Sequence, residues 1–393
     1  MDPHITEWLN LLVRWGHMIA GVAWIGASFY FNWLENHLDR SKPRDGLSGD
    51  LWAIHGGGIY HLEKYKLAPP KMPETLHWFK WEAYATFLSG FFLLVVVYYL
   101  NAQLYLVAPG SGISSAAAIT ISVASLVAGW FIYTTLCDSV LGEKPTLLAA
   151  ILFILLVAAA WGFSQIFSGR GAFIHVGAII GTIMVGNVFR VIMPAQRALV
   201  GAIESGREPD PSLPAKGLLR SRHNNYFTLP VLFIMISNHF PSTFGSEYNW
   251  LILAALAVLS VGVRHYFNTR HKSQKYLWTL PAAALGMLAL AFVTAPQQVV
   301  QGNLESQVSF QQVKQVINER CTVCHAENPT YAGFTTAPLG VIMETPEQIK
   351  ALVPRIMVQS ISTQAMPLGN ITQMTQQERD LIALWIQKGA SIK

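Results

Sequence analysis

Residues 147–167 read LLAAILFILLVAAAWGFSQIF and carry no charged side chain. A bilayer core takes about 20 apolar residues per helix, and a water-soluble core rarely sustains a run of that length. The stretch from Leu277 to Gln301 is likewise free of charge. Over all 393 residues, 52% are hydrophobic and 12% are charged, against about 25% charged in soluble proteins. A water-soluble enzyme, a disordered chain and a disulfide scaffold are excluded together.

Working outward from that run, apolar segments give eight candidate spans: Trp8–Leu34, Ala83–Val107, Ser114–Leu136, Leu147–Phe167, Ala172–Met193, Tyr226–Phe240, Asn249–Phe267 and Leu277–Ala295. The sixth is short and holds Pro230, which membrane helices tolerate. The expected fold is all-α: a transmembrane domain over 1–299 and a small domain over 300–393. Met1 to Asn10 has no basic n-region, so the first helix is expected to remain as an anchor.

The loops after spans 1, 3, 5 and 7 hold nearly all the basic residues, among them Arg40, Lys64, Lys144, Arg197, Arg220, Arg222, Arg270 and Lys275. The loops after spans 2, 4 and 6 hold only Arg170. Basic loops stay in the cytoplasm, so eight spans put both termini outside a bacterial inner membrane, in the periplasm. Beyond residue 299 acids and bases balance, and the net charge of +5 falls in residues 1–299. A nucleic-acid partner would need a basic stripe on one face; orientation in a lipid bilayer accounts for the charge instead.

Spans 1 and 5 each carry an outer histidine, His17 and His175, and spans 2 and 6 open on similar strings at Tyr84–Phe87 and Tyr226–Leu229. Two four-helix halves would produce this pattern, as would chance similarity between apolar segments.

Two of the three cysteines lie in Cys321-Thr322-Val323-Cys324-His325. This C-x-x-C-H string reads as covalent haem attachment: two thiols on one turn reach two vinyl groups, and the imidazole comes under the iron. A structural zinc site would need a second ligand pair. A redox dithiol would need a strand–helix context. The rest of the segment suits a small class I-like cytochrome c. Phe310, Val313, Val316 and Ile317 mark an amphipathic helix. Thr345–Gln348 and Thr375–Glu378 are capping boxes. Met366, before Pro367 in a polar stretch, is the expected sixth ligand, and Met/His ligation raises the haem potential. Met343, Met357 and Met374 read as core or surface residues, and Cys137 as a buried small hydrophobe.

Ionisable groups in a membrane are costly and usually functional. Arg14 and His17 share one face of span 1. They would suit a haem b, with His175 or His239 as the opposite ligand; interhelical hydrogen bonds to backbone or Ser are the alternative. On the cytoplasmic side stand His55-Gly56-Gly57-Gly58 with His61, and Arg222-His223-Asn224-Asn225-Tyr226. Three glycines would let backbone N–H groups approach a ligand. Asn, His and Arg at a membrane mouth could read a polar heterocycle, whereas the nearby Trp and Tyr fit the interfacial belt.

The strings Trp52–His61, Leu76–Tyr84, Arg222–Tyr226 and Ile236–His239 resemble those of the bacterial membrane-bound urate hydroxylases, which join a multi-span domain to a C-terminal cytochrome c. The likeness runs through the whole chain. More faintly, His17 with Trp24, Gly26, Phe29 and Tyr30 resembles the first helix of membrane families that include a haem-binding protoporphyrinogen oxidase and copper-resistance proteins. The urate hydroxylase resemblance implies oxidation of urate to 5-hydroxyisourate, with water as the oxygen source. It implies that electrons leave through one covalent haem c for a downstream cytochrome c or terminal oxidase. On this reading urate binds at the cytoplasmic mouth near His223, Asn224, Asn225, His55 and His61, a histidine being the best general base there. Two other classes remain: a non-catalytic module passing electrons from quinol to a periplasmic carrier, and a transporter with a redox-sensing domain.

Overall fold

The computed structural model describes residues 2–69, 71–210, 212–295 and 308–392. The helix α1 (Pro3–His37) starts where Asp2 accepts hydrogen bonds from the amides of His4 and Ile5, with Pro3 in the first turn, a position where its missing N–H costs nothing. Then comes a departure from the all-α expectation. Strands β1 (Leu47–His55) and β2 (Gly58–Tyr65) pair antiparallel, His55 opposite Gly58. Gly56 and Gly57 form the two-residue turn, with φ of 58° and 81°. Such a turn needs positive φ at both positions. These two glycines therefore serve a hairpin rather than a ligand-binding loop.

The helical array continues with α2 (Trp81–Leu93), extended by a π turn over Leu94–Tyr99, and with the short α3 (Ala102–Tyr105). Next are α4 (Ser115–Asp138), capped by Ser114, and α5 (Pro145–Ile166). The helix α6 (Gly169–Gly186) passes through a π turn, Asn187–Ile192, into α7 (Met193–Glu204). Then follow α8 (Ser212–Ser237), with Pro230 inside it, α9 (Pro241–Phe244), α10 (Asn249–Thr269) and α11 (Thr279–Val293). Every expected span overlaps a helix. Among the described residues, five helices are long and apolar enough to cross a membrane: Trp81–Tyr99, Ser115–Asp138, Pro145–Ile166, Gly169–Glu204 and Asn249–Thr269. These fit a membrane protein.

Helix α6 is the buried centre, with Phe173, Val176, Ile180, Ile183 and Met184 all inside. It packs on α4, α5 and α8. Close approach depends on small residues: a β-carbon on Gly186 would collide with the Trp130 ring. The outward faces stay apolar. Phe131 is 60% exposed and Ile154 63%, a surface suited to lipid and unsuited to water.

The C-terminal helices are α12 (Phe310–Arg320), α13 (Pro346–Ala351), α14 (Val353–Ile356) and α15 (Gln376–Gln387). Val313, Ile317, Ile349, Ile382 and Trp385 make their core, together with Met343 and Met374. Both expected capping boxes form, and Ser309 with Gln312 adds a third. The expected domain boundary at 299/300 lies outside the described residues. Ala365 packs against the core of the helical array, and Gly369 lies against the backbone of Gln103 and Leu104 in α3.

Candidate functional site

Helix α8 brings consecutive polar side chains to two different neighbours. On one side, His223 Nδ1 shares a 2.8 Å hydrogen bond with the Tyr133 hydroxyl of α4, and Cys137 Sγ lies 3.9 Å from the same nitrogen. Asn187, fully buried in the π turn after α6, donates through Nδ2 to Tyr133 at 2.9 Å and to Asn224 Oδ1 at 2.8 Å. Asn224 in turn donates to the Met184 carbonyl at 2.9 Å. Arg220, 2% exposed, pairs with Asp138 at 2.8 Å and lies over the Tyr133 ring. The π turn has a structural purpose here. Such turns shift one side chain out of helical register and are frequent at functional sites. This one carries Asn187 within reach of both neighbours.

On the other side, Asn225 faces α10 and α1. Its Oδ1 accepts from Arg264 Nε at 2.9 Å and from Asn268 Nδ2 at 2.8 Å. Asn268 accepts from Asn32 at 3.1 Å, and the Arg264 guanidinium lies 4.1 Å from the centre of the Phe29 ring. Three buried polar atoms in these two clusters have no partner among the described residues: Asn187 Oδ1, Arg220 Nη1 and Asn225 Nδ2. Unpartnered buried polar groups are rare, and each has a cause such as strain, a catalytic role, or a water or ion that completes it.

His55 and His61 are not drawn into either cluster. His55 is exposed beside the hairpin turn. His61 bonds Asp50 at 2.7 Å and stacks on Trp52. Neither hydrogen-bonds His223, Asn224 or Asn225: His61 is taken up by contacts within the hairpin, and His55 stands exposed opposite Gly58. On α1, His17 Nδ1 lies 3.0 Å from the Thr86 carbonyl and 3.0 Å from Ser89 Oγ. Arg14 bonds Asn10 one turn back. His175 is fully buried, with Nδ1 2.7 Å from the Gly171 carbonyl and Nε2 2.6 Å from Ser122 Oγ. Both nitrogens of His175 are engaged, so it does not fit as an axial haem ligand as held here. His17 differs: its two hydrogen bonds both use Nδ1, and Nε2 is not engaged by them.

Residues 3–295 match the family model described as urate oxidase N-terminal. The chain belongs to that family. No curated protein and no solved structure matches it. The match covers the helical array and both polar clusters of this urate oxidase family member, and gives it a urate-related function. It ends before the C-terminal helices.

There Cys321, Cys324 and His325 share one turn: the amides of Cys324 and His325 both donate to the Cys321 carbonyl, at 3.1 and 2.9 Å. His325 Nδ1 lies 3.0 Å from the Val341 carbonyl, which leaves Nε2 free. A ligating histidine almost always donates its other nitrogen in this way. Burial pushes the Cys321 thiol up to about 12 and raises that of Cys324. A nucleophilic dithiol has the opposite character. Met343, Met357 and Met374 are buried while Met366 is half-buried. The Met366 carbonyl accepts from Arg379 Nη1 at 2.8 Å, and Arg379 also donates to the Ser360 carbonyl.

Sequence reasoning found the α8 string of this family member but missed Tyr133, Asn187, Arg264 and Asn268. Arg264 gave a signal, a cation inside an apolar span. Tyr133 and Asn187 gave none, since nothing along one chain says which helices touch.

Proposed function

We propose that this protein oxidises urate to 5-hydroxyisourate. Urate and one water become product, two electrons and two protons. The observation that carries the reading is the pair of buried polar clusters around His223–Asn225 in a chain of the urate oxidase family. Urate is a flat anion at neutral pH, and a mouth lined with amides, a guanidinium and aromatic rings suits it. Loss of two electrons and a proton leaves C5 electrophilic toward water. His223 accepts a proton, and its contact with Tyr133 fixes the ring for that purpose. Asn187 and Asn224 hold Tyr133 and α8 in place.

The residues of the C-terminal turn fit a covalent haem c: Cys321 and Cys324 would attach it, His325 would offer its second nitrogen to the iron, and Met366 would be the further ligand. Bound there, such a group would supply one-electron transfer toward a downstream cytochrome c or terminal oxidase. The eight helices and the basic loops support an eight-span arrangement in a bacterial inner membrane, with both termini in the periplasm.

Turnover in ¹⁸O-labelled water tests the chemistry. The label should appear in 5-hydroxyisourate under air and under argon alike. Label arriving from ¹⁸O₂ would overturn the proposal.

A further inference from the structure

We infer that Arg264, supported by Asn225 and Phe29, is the anion-binding element of the substrate site; this rests on the urate reading above. Arg264 is 8% exposed within a helix apolar enough to cross a membrane, yet no acidic side chain pairs with it among the described residues. A buried cation without a counter-charge is costly unless something anionic joins it. Its only hydrogen bond among the described residues uses Nε, which leaves the two terminal nitrogens of the fork available. Phe29 supports the guanidinium plane at 4.1 Å.

The amides beside it are oriented by that bond. Guanidinium nitrogens only donate, so the Asn225 atom facing Arg264 is the oxygen. Asn268 then donates to the same oxygen, Asn32 donates to Asn268, and Asn36 donates to Asn32 at 2.8 Å. The relay runs in one direction and ends with the Asn225 amide nitrogen, buried at 4% exposure and without a partner. On this side of α8 the open groups are therefore all donors: the terminal nitrogens of Arg264 and the amide of Asn225. A ligand matching them offers acceptors only along one edge and carries a negative charge. The urate anion, with ring carbonyls beside a deprotonated nitrogen, has that character. Asn224 differs: its oxygen takes Asn187 and its nitrogen takes Met184, so it shapes the site without reading the ligand.

Equilibrium dialysis of radiolabelled urate tests this on the full-length detergent-solubilised protein. Ascorbate under argon keeps it reduced, so that no turnover occurs. The wild type should bind urate. Arg264→Gln should weaken binding about 10- to 100-fold, the range for a charged hydrogen-bond partner. Arg264→Lys should weaken it about 10-fold, because the charge stays and the fork is lost. Asn268→Asp keeps the side-chain size and offers Arg264 a resident carboxylate, so it should lose urate as Arg264→Gln does. Should Arg264→Gln fail to fold, judged by haem content, Asn268→Asp decides. Wild-type affinity in Arg264→Gln or Asn268→Asp overturns the inference alone. Absence of urate binding by the wild type overturns the functional reading and this inference with it.

Discussion

Gly369 stands so close to Gln103 that a β-carbon on it would lie 2.8 Å from the Gln103 carbonyl oxygen. The loop that carries Met366 thus touches the backbone of α3. Tyr105, at the end of α3, lies within electrostatic reach of Cys324 and Tyr331. The same helix end faces Arg170, which lies over the rings of Tyr105 and Phe244. The contact positions the C-terminal helices against the end of the array that carries α3.

That relationship predicts an asymmetry between two glycines. Gly369→Ala and Gly340→Ala both place alanine at positive φ, 59° and 65°, at a cost of about 1–2 kcal/mol each. Only the first also overpacks an interface, for about 1–3 kcal/mol more; Gly340 has nothing within 4 Å. Urate-driven reduction of the haem should slow several-fold in Gly369→Ala alone, with ascorbate-driven reduction unchanged in both. Equal urate rates in the two variants would remove the contact from the electron route.

A second prediction concerns His175. The chain Tyr99–Ser122–His175–Gly171 is fully hydrogen-bonded, at 2.7, 2.6 and 2.7 Å. Ser122→Ala leaves the imidazole Nε2 buried without a partner and should destabilise the array by about 1–3 kcal/mol, seen as a lower melting temperature. His175→Gln should leave the pyridine haemochrome content unchanged, c-type and b-type alike. Loss of a b-type band in that variant would make His175 a haem ligand.

The C-terminal helices have their own pH dependence. Partial burial raises the Glu378 carboxyl, but Arg320 at 2.8 Å and the Thr375 amide outweigh it, and the net direction is down. A carboxylate lowered in the folded state stabilises above its unfolded value and loses that contribution as pH falls through the folded value. Glu378→Gln should therefore lower stability by about 0.5–1 kcal/mol at neutral pH, the upper part of the range for a surface ion pair. The difference should shrink below about pH 4. Thermal melts of the full-length protein, followed at the haem Soret band at pH 7 and pH 3.5, measure this. A difference that persists at the lower pH would contradict the sign.

How far the sequence can be read follows from which forces are local. Uncharged runs such as Leu147–Phe167 reveal helices because burial in lipid acts on every residue of the segment. Thr345 with Gln348 and Thr375 with Glu378 reveal helix starts because a cap needs only its own four residues. The hairpin was legible in principle: Gly56-Gly57 between extended segments is a turn signal, obscured by the reading of glycine as a close approach to ligand. The site was half legible. His223, Asn224 and Asn225 stand together in the chain, but the roles of the two amides differ only because α8 turns one toward Asn187 and the other toward Arg264. That difference is tertiary, set by helix rotation and the π turn at Asn187–Ile192, and no spacing along one chain encodes it.

The most direct measurement is a single anaerobic addition. Urate mixed under argon with the oxidised, full-length protein should reduce the haem on Cys321 and Cys324, with one 5-hydroxyisourate formed for every two electrons accepted. A requirement for oxygen, or hydrogen peroxide formed in step with urate loss, would contradict the account.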